Sequence, residues 1–275
     1  MNGDIPLSVI LFAFGLTLLA GLSTGIGAAV AFFARKTNTR LLSTALGFSA
    51  GVMIYVSMIE IFPKAKESLV AEVGDGMGYT YAVAAFFAGI FISAIIDKLV
   101  PTGQNPHEQV SVTDISNVQR SVRDKNALYR MGLFSALAIA IHNFPEGLAT
   151  FFSALEDPAL GISVAIAVAI HNIPEGIAVS IPVFYSTENR RKAFFLSFLS
   201  GLAEPVGALF GFFFLLPFFN GMTFGIVFGI VAGIMVFISL DELLPTAEQY
   251  GEHHLTIYGL IAGMAVMAVS LLLFS

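Results

Sequence analysis

Eight apolar stretches of about 20 residues or more divide this chain, at about 6–33, 41–62, 80–100, 128–154, 159–184, 192–218, 222–244 and 254–274. At 1.5 Å rise per residue, a helix of that length matches a hydrocarbon core about 30 Å thick. Inside lipid the backbone must satisfy its own polar groups, and apolar runs without strand-like alternation do so as helices. The expected fold is therefore all-α: a polytopic membrane protein of eight transmembrane helices. The first run begins almost at Met1 without a basic leader or a small-residue cleavage site, so it reads as a retained helix.

Charge supports that reading. Only 12% of the 275 residues are Asp, Glu, Lys or Arg, which is too few to coat a soluble domain of this length. The net charge is −6 and no basic stripe occurs, which excludes a soluble enzyme and a nucleic-acid binder. Cysteine is absent, and with it disulfides, thiolate metal sites and Cys nucleophiles.

The basic residues orient the spans. Arg35, Lys36 and Arg40 lie between the first and second, and Arg190, Arg191 and Lys192 around the fifth link. Lys98, Arg120, Arg123, Lys125 and Arg130 surround the link between the third and fourth. These alternate loops hold 11 of the 13 basic residues, with Lys64 and Lys66 alone on the other side. The positive-inside rule makes them cytoplasmic, and eight spans then leave both termini outside. The acidic segment 245–253 runs against this pattern. Residues 101–126 are polar, carry Pro101 and Pro106 and lack apolar periodicity, so they are expected to form a mobile cytoplasmic loop with His107 solvated.

Two segments match at an offset of 182: GFSAGVMIYVSMIEIFPKA (47–65) and GIVAGIMVFISLDELLPTA (229–247). Gly47, Ala50, Gly51, Met53, Ser57, Glu60, Pro63 and Ala65 recur as Gly229, Ala232, Gly233, Met235, Ser239, Glu242, Pro245 and Ala247. The copies lie on spans that run in opposite directions, so the expected architecture is an inverted repeat, helices 1–3 against 6–8, around a central helix 4/5 pair. Such repeats belong to secondary transporters. Glycines every four residues, Gly221, Gly225, Gly229 and Gly233, suit close helix packing in lipid.

The polar residues at mid-membrane carry the chemistry. The fourth span holds His142-Asn143-Phe144-Pro145-Glu146-Gly147, and the fifth holds His171-Asn172-Ile173-Pro174-Glu175-Gly176. In each, His and Glu are four apart and Asn and Glu three apart, which places them on one helical face. The short turn at Glu156-Asp157-Pro158 makes the two spans neighbours. The sixth span adds Glu204 near its midpoint. An ionised group at the bilayer centre costs at least about 2.5–3.5 kcal/mol, and no span interior offers Lys or Arg to neutralise it. The counter-charge must be protons or a bound cation. Imidazole nitrogen with carboxylate oxygen suits Zn²⁺, Fe²⁺, Co²⁺ or Mn²⁺, and the missing thiolates argue against Cu(I).

HNFPEG and HNIPEG on consecutive helices, then GLAEP on the next, resemble the ZIP family of divalent metal transporters. SMIEIFP and SLDELLP stand at corresponding ends, and the likeness covers the whole chain as one transporter domain, 1–275. The resemblance implies a two-metal centre. Glu146, His171 and Glu175, with His142, would form a first site favouring Zn²⁺. Asn143, Glu146, Asn172, Glu175 and Glu204 would form a second site suited to Fe²⁺ or another divalent ion, with Glu146 and Glu175 bridging. Unlike many family members, the third loop has no histidine cluster, which counts against metal sensing there.

The expected function is uptake of zinc, and of iron, cobalt, manganese or cadmium, into the cytoplasm across the cell membrane. The ions are bound substrates and no prosthetic group is implied. The expected partners are those ions and the bilayer, with homodimer formation left open. An intramembrane zinc metalloenzyme is the alternative, but its common H-E-x-x-H signature is absent. A metal-gated sensor is a third reading, and the repeat favours transport over both. Glu60 with Met58, and Asp241 with Glu242, stand at span ends as candidate way-stations. Glu248, Glu252, His253 and His254 form a local acidic-histidine group.

Overall fold

The computed structural model describes residues 5–33, 39–99, 122–218, 220–250 and 253–274. Among these residues no strand occurs. Helix α1 (Leu7–Phe33) is followed by α2 (Thr39–Val56), which passes through a π-helical turn at Ser57–Ile61 into α3 (Phe62–Val73). Gly74, with φ +85°, ends α3, and α4 (Asp75–Leu99) follows. The central pair is α5 (Val122–Glu156) and α6 (Pro158–Thr187). A sixth rod comprises α7 (Arg190–Gly201), α8 (Ala203–Phe210), a π-helical turn at Gly211–Leu215 and a short 3₁₀ turn at Leu216–Phe218. Next come α9 (Gly221–Ile238), a π-helical turn at Ser239–Leu243, α10 (Leu244–Tyr250) and finally α11 (His253–Phe274).

Seven helical segments among the described residues are long and apolar enough to cross a membrane; α5 is not among them. The boundaries follow local chemistry. Asp157 caps α6 by accepting from the Ala159 amide at 2.7 Å, with Pro158 at the first helical position, where its missing N–H costs nothing. Asn189 and Asn220 cap α7 and α9 in the same way, accepting from the amides of Lys192 and Thr223. The expected loop at 101–126 lies mostly outside the described residues; its last part, from Val122, is already helical. His107 also lies outside them.

The rods pack in two groups. In one, α1 lies against α6 and α7, and α8 lies against α5. In the other, α2 pairs with α11, and α9 with α3 and α4. Missing Cβ atoms allow these approaches. A Cβ on Gly51 would collide with the Leu260 carbonyl on α11, and one on Gly233 with the Phe86 carbonyl on α4. The groups meet where α2 and α11 lie against α6, and α9 against α5. Phe151, Phe152, Phe228, Leu46 and Met53 fill the core between them. Leu272, Leu273 and Phe218 face outward, exposed apolar surface of the kind lipid covers.

The matched segments have matched structure. The succession α2, π-helical turn and α3 recurs as α9, π-helical turn and α10, with Thr39, Ser57 and Phe62 standing 182 residues before Gly221, Ser239 and Leu244.

Candidate metal centre

The α5–α6 hairpin brings the two hexapeptides side by side, and both helices remain continuous through Pro145 and Pro174. His142, Asn143, Glu146, His171, Asn172, Glu175 and Glu204 are all buried to within 1% of full burial. All seven residues expected from the sequence are therefore buried in the protein interior, and side-chain hydrogen bonds join six of them in three pairs.

The pairing crosses between the helices. His142 Nε2 lies 3.2 Å from Glu175 Oε2, and His171 Nε2 lies 3.1 Å from Glu146 Oε2. The asparagines anchor the hairpin to its neighbours through their amide groups. Asn143 Nδ2 donates to the Ser200 carbonyl at 3.2 Å, and Asn172 Nδ2 donates to the Ala20 carbonyl at 3.0 Å. Glu204 comes from the first turn of α8, just past the break at Leu202, and its Oε1 accepts from Asn172 Nδ2.

Each of these residues except Glu175 also carries a buried atom with no hydrogen-bond partner: His142 Nδ1, Asn143 Oδ1, Glu146 Oε1, His171 Nδ1, Asn172 Oδ1 and Glu204 Oε2. Leaving a buried polar atom unpaired costs about 1–3 kcal/mol, so six in one cluster mark a place built to receive something else. The set contains only nitrogen and oxygen donors with three carboxyl groups, which is the chemistry of a divalent transition metal. Among the described residues no three His, Asp or Glu side chains stand arranged to hold an ion as they are. Glu146 and Glu175 are engaged by imidazoles and Glu204 by an amide.

Two further residues touch the cluster. Ser49 on α2 points its hydroxyl at Glu175 Oε1 and at the His171 carbonyl, each at 3.3 Å. Nothing in the sequence signals it, because a serine in an apolar helix ordinarily bonds back to its own backbone. Glu242, in the π-helical turn after α9, approaches His142 Nδ1 at 3.7 Å. A cavity lined by Ser93, Asp97, Ile141, Pro145, Ile234 and Glu242 reaches His142.

Glu60 lies in the π-helical turn after α2, partly buried beside exposed Met58. Asp241 is partly buried next to Glu242. His253 Nδ1 pairs with Glu248 Oε1 at 2.8 Å on the surface, and His254 stacks on Tyr258. Glu252 lies outside the described residues.

Comparison with known proteins adds an independent line. The sequence profile of the family described as ZIP Zinc transporter matches residues 103–271. The chain is 65% identical to a zinc transporter ZupT of Chlorobaculum parvum over 265 residues, covering 96% of this chain and 98% of that one. It is 62% identical to a zinc transporter ZupT of Lysinibacillus sphaericus, covering 99% of both. With a zinc transporter ZupT of Clostridium perfringens the identity is 60% over the whole of both chains.

Proposed function

Because this chain belongs to the ZIP family of zinc transporters, we propose that it carries Zn²⁺ into the cytoplasm through the buried centre on α5, α6 and α8. The protein is a transporter and not an enzyme. The observation that carries the mechanism is the crossed pairing of His142 with Glu175 and of His171 with Glu146, together with six buried polar atoms that lack a hydrogen-bond partner.

The centre takes two ions. One is held by Glu146, His171 and Glu175 with His142, the other by Asn143, Glu146, Asn172, Glu175 and Glu204. Glu146 and Glu175 bridge them. The first is nitrogen-rich and favours Zn²⁺; the second is oxygen-rich and accepts Fe²⁺, Co²⁺, Mn²⁺ or Cd²⁺. An arriving dication exchanges its water for these donors, and its charge replaces the imidazole and amide hydrogen bonds that hold the empty site together. The carboxylates then lie beside positive charge and their desolvation cost falls.

Helix α5 serves as the eighth span, and the alternating distribution of basic residues supports external termini in the cell membrane. The two halves form an inverted repeat; the recurrence of helix, π-helical turn and helix at an offset of 182 supports this, as does the matching of α2·α11 by α9·α4. The cavity from His142 past Glu242 to Asp97 is the exit. Asp97 stands at the end of α4 that leads toward Lys98, Arg120, Arg123, Lys125 and Arg130, the cytoplasmic side by the distribution of basic residues.

Calorimetric titration of the purified protein with Zn²⁺ tests the centre. Two ions per chain are expected in the native protein and at most one weakly bound ion in Glu175→Ala. Unchanged stoichiometry in that variant would contradict the shared-ligand arrangement.

A further inference from the structure

The centre is built from two halves that match each other residue by residue. At an offset of 29, α5 repeats in α6. At an offset of 180, Ala20, Gly21, Leu22, Thr24 and Gly27 on α1 stand where Ser200, Gly201, Leu202, Glu204 and Gly207 stand on α7 and α8. The contacts obey the same map. Asn143 donates to the Ser200 carbonyl, and Asn172 donates to the Ala20 carbonyl. A Cβ on Gly147 would collide with the Glu204 carbonyl, and one on Gly176 with the Thr24 carbonyl. A Cβ on Gly207 would meet the Phe144 carbonyl, and one on Gly27 the Ile173 carbonyl. Gly21 and Gly201 mark the crossing, each abutting the other's carbonyl.

Under this map the counterpart of Glu204 is Thr24. The sequence gives no reason to single it out, since threonine is ordinary in an apolar helix. Its surroundings are unusual. Thr24 is fully buried and its Oγ1 has no hydrogen-bond partner. A helical threonine normally donates to the carbonyl four residues back. Here that carbonyl, of Ala20, already accepts from the Ser23 hydroxyl at 2.6 Å and from Asn172 Nδ2 at 3.0 Å. The hydroxyl stands instead beside Gly201, where a Cβ would lie 2.7 Å from it, one residue from the carbonyl that Asn143 holds. On the Glu204 side the long carboxylate reaches Asn172. On the Thr24 side the short hydroxyl makes no such bond, and both Thr24 Oγ1 and Asn143 Oδ1 remain unpaired.

We propose that Thr24 is a specificity-determining residue, presenting a neutral oxygen to the ion bound by Asn143 and Glu146, where the other half presents the carboxylate of Glu204. The inference rests on the metal-centre reading above. It explains why one half of a symmetric framework carries a charge that the other lacks: three carboxyl groups match two dications more loosely than four would, and a substrate ion must leave as well as enter. A hydroxyl oxygen favours oxygen-preferring ions such as Mn²⁺ over Zn²⁺.

Thr24→Val keeps the shape and removes the oxygen. In purified protein titrated with Mn²⁺ and with Zn²⁺, Mn²⁺ affinity is expected to fall about tenfold, the lower range for losing a supporting contact at a metal site. Zn²⁺ affinity is expected to change less than threefold, about a third of that effect. Thr24→Ser is expected to behave as the native protein. Should Thr24→Val fail to assemble, Thr24→Ser and Thr24→Ala supply the same comparison, since they differ only in the hydroxyl. Equal Mn²⁺ affinities with and without the hydroxyl would overturn the assignment. Native protein that binds neither ion would instead overturn the metal-centre reading beneath it.

Discussion

His142 and Glu175 belong to different helices, yet their side chains meet at 3.2 Å, Nε2 to Oε2, in the buried interior of the protein. His171 and Glu146 repeat the arrangement with the helices exchanged, at 3.1 Å. Neither hexapeptide is self-sufficient: each imidazole is held by the other helix's acid. The pairing holds the four side chains together and makes the imidazole of each helix depend on the acid of the other.

The two proposed ion positions differ in donor type, and this predicts opposite selectivity changes. His171→Ala removes an imidazole and should impair Zn²⁺ uptake more than Fe²⁺ uptake. Glu204→Ala removes an oxygen ligand and should do the reverse. Competition between the two ions in vesicles carrying each variant reads the difference. Equal losses for both ions in both variants would remove the division between the sites.

Close helix approach beneath the centre predicts a second result. Gly147→Ala would drive a Cβ into the Glu204 carbonyl, so α8 must shift. Overpacking of this kind costs about 1–3 kcal/mol, and the protein should melt earlier and bind Zn²⁺ more weakly. Gly15→Ala, where nothing lies within 4 Å of the added atom, should leave both properties unchanged. Thermal unfolding of the two variants in the same detergent makes the comparison.

If the cavity below His142 is the exit, filling it should separate binding from transport. Ile234 lines that cavity and does not belong to the centre. Ile234→Trp should retain Zn²⁺ binding in calorimetry while its uptake rate falls by about tenfold or more, as expected when release limits turnover. Native uptake in this variant would show that ions leave by another route.

Much of this was legible in the sequence. Hydropathy located seven of the eight expected spans, because lipid leaves the backbone few alternatives, and the i, i+4 spacing of His142 with Glu146 and of His171 with Glu175 put those side chains on one face. The turn at Asp157-Pro158 made the two helices neighbours, as the structure has them. Other features were hidden. The π-helical turns at Ser57–Ile61 and Ser239–Leu243 leave hydropathy unchanged, so no pattern marks them, although the repeated S-x-x-E-x-x-P string lies across both. The bend at Leu202 that introduces Glu204 has proline only after it. Ser49 and Thr24 are small polar residues whose importance depends on which helix faces them, and a single sequence does not encode facing. The crossed His–Glu pairing was hidden for the same reason: spacing within a helix fixes a face but not its partner.

Zinc is expected to cross the membrane through carboxylates that α5 and α6 share. Uptake of radiolabelled Zn²⁺ into sealed proteoliposomes containing only this protein tests it most directly, with native protein, Glu146→Ala and Glu175→Ala reconstituted at equal density. Native vesicles should accumulate zinc at a saturable rate, and each variant should fall to the level of protein-free vesicles, because each loses a carboxylate from both ion positions. Zinc uptake at the native rate by either variant would mean that the ion does not pass through these carboxylates.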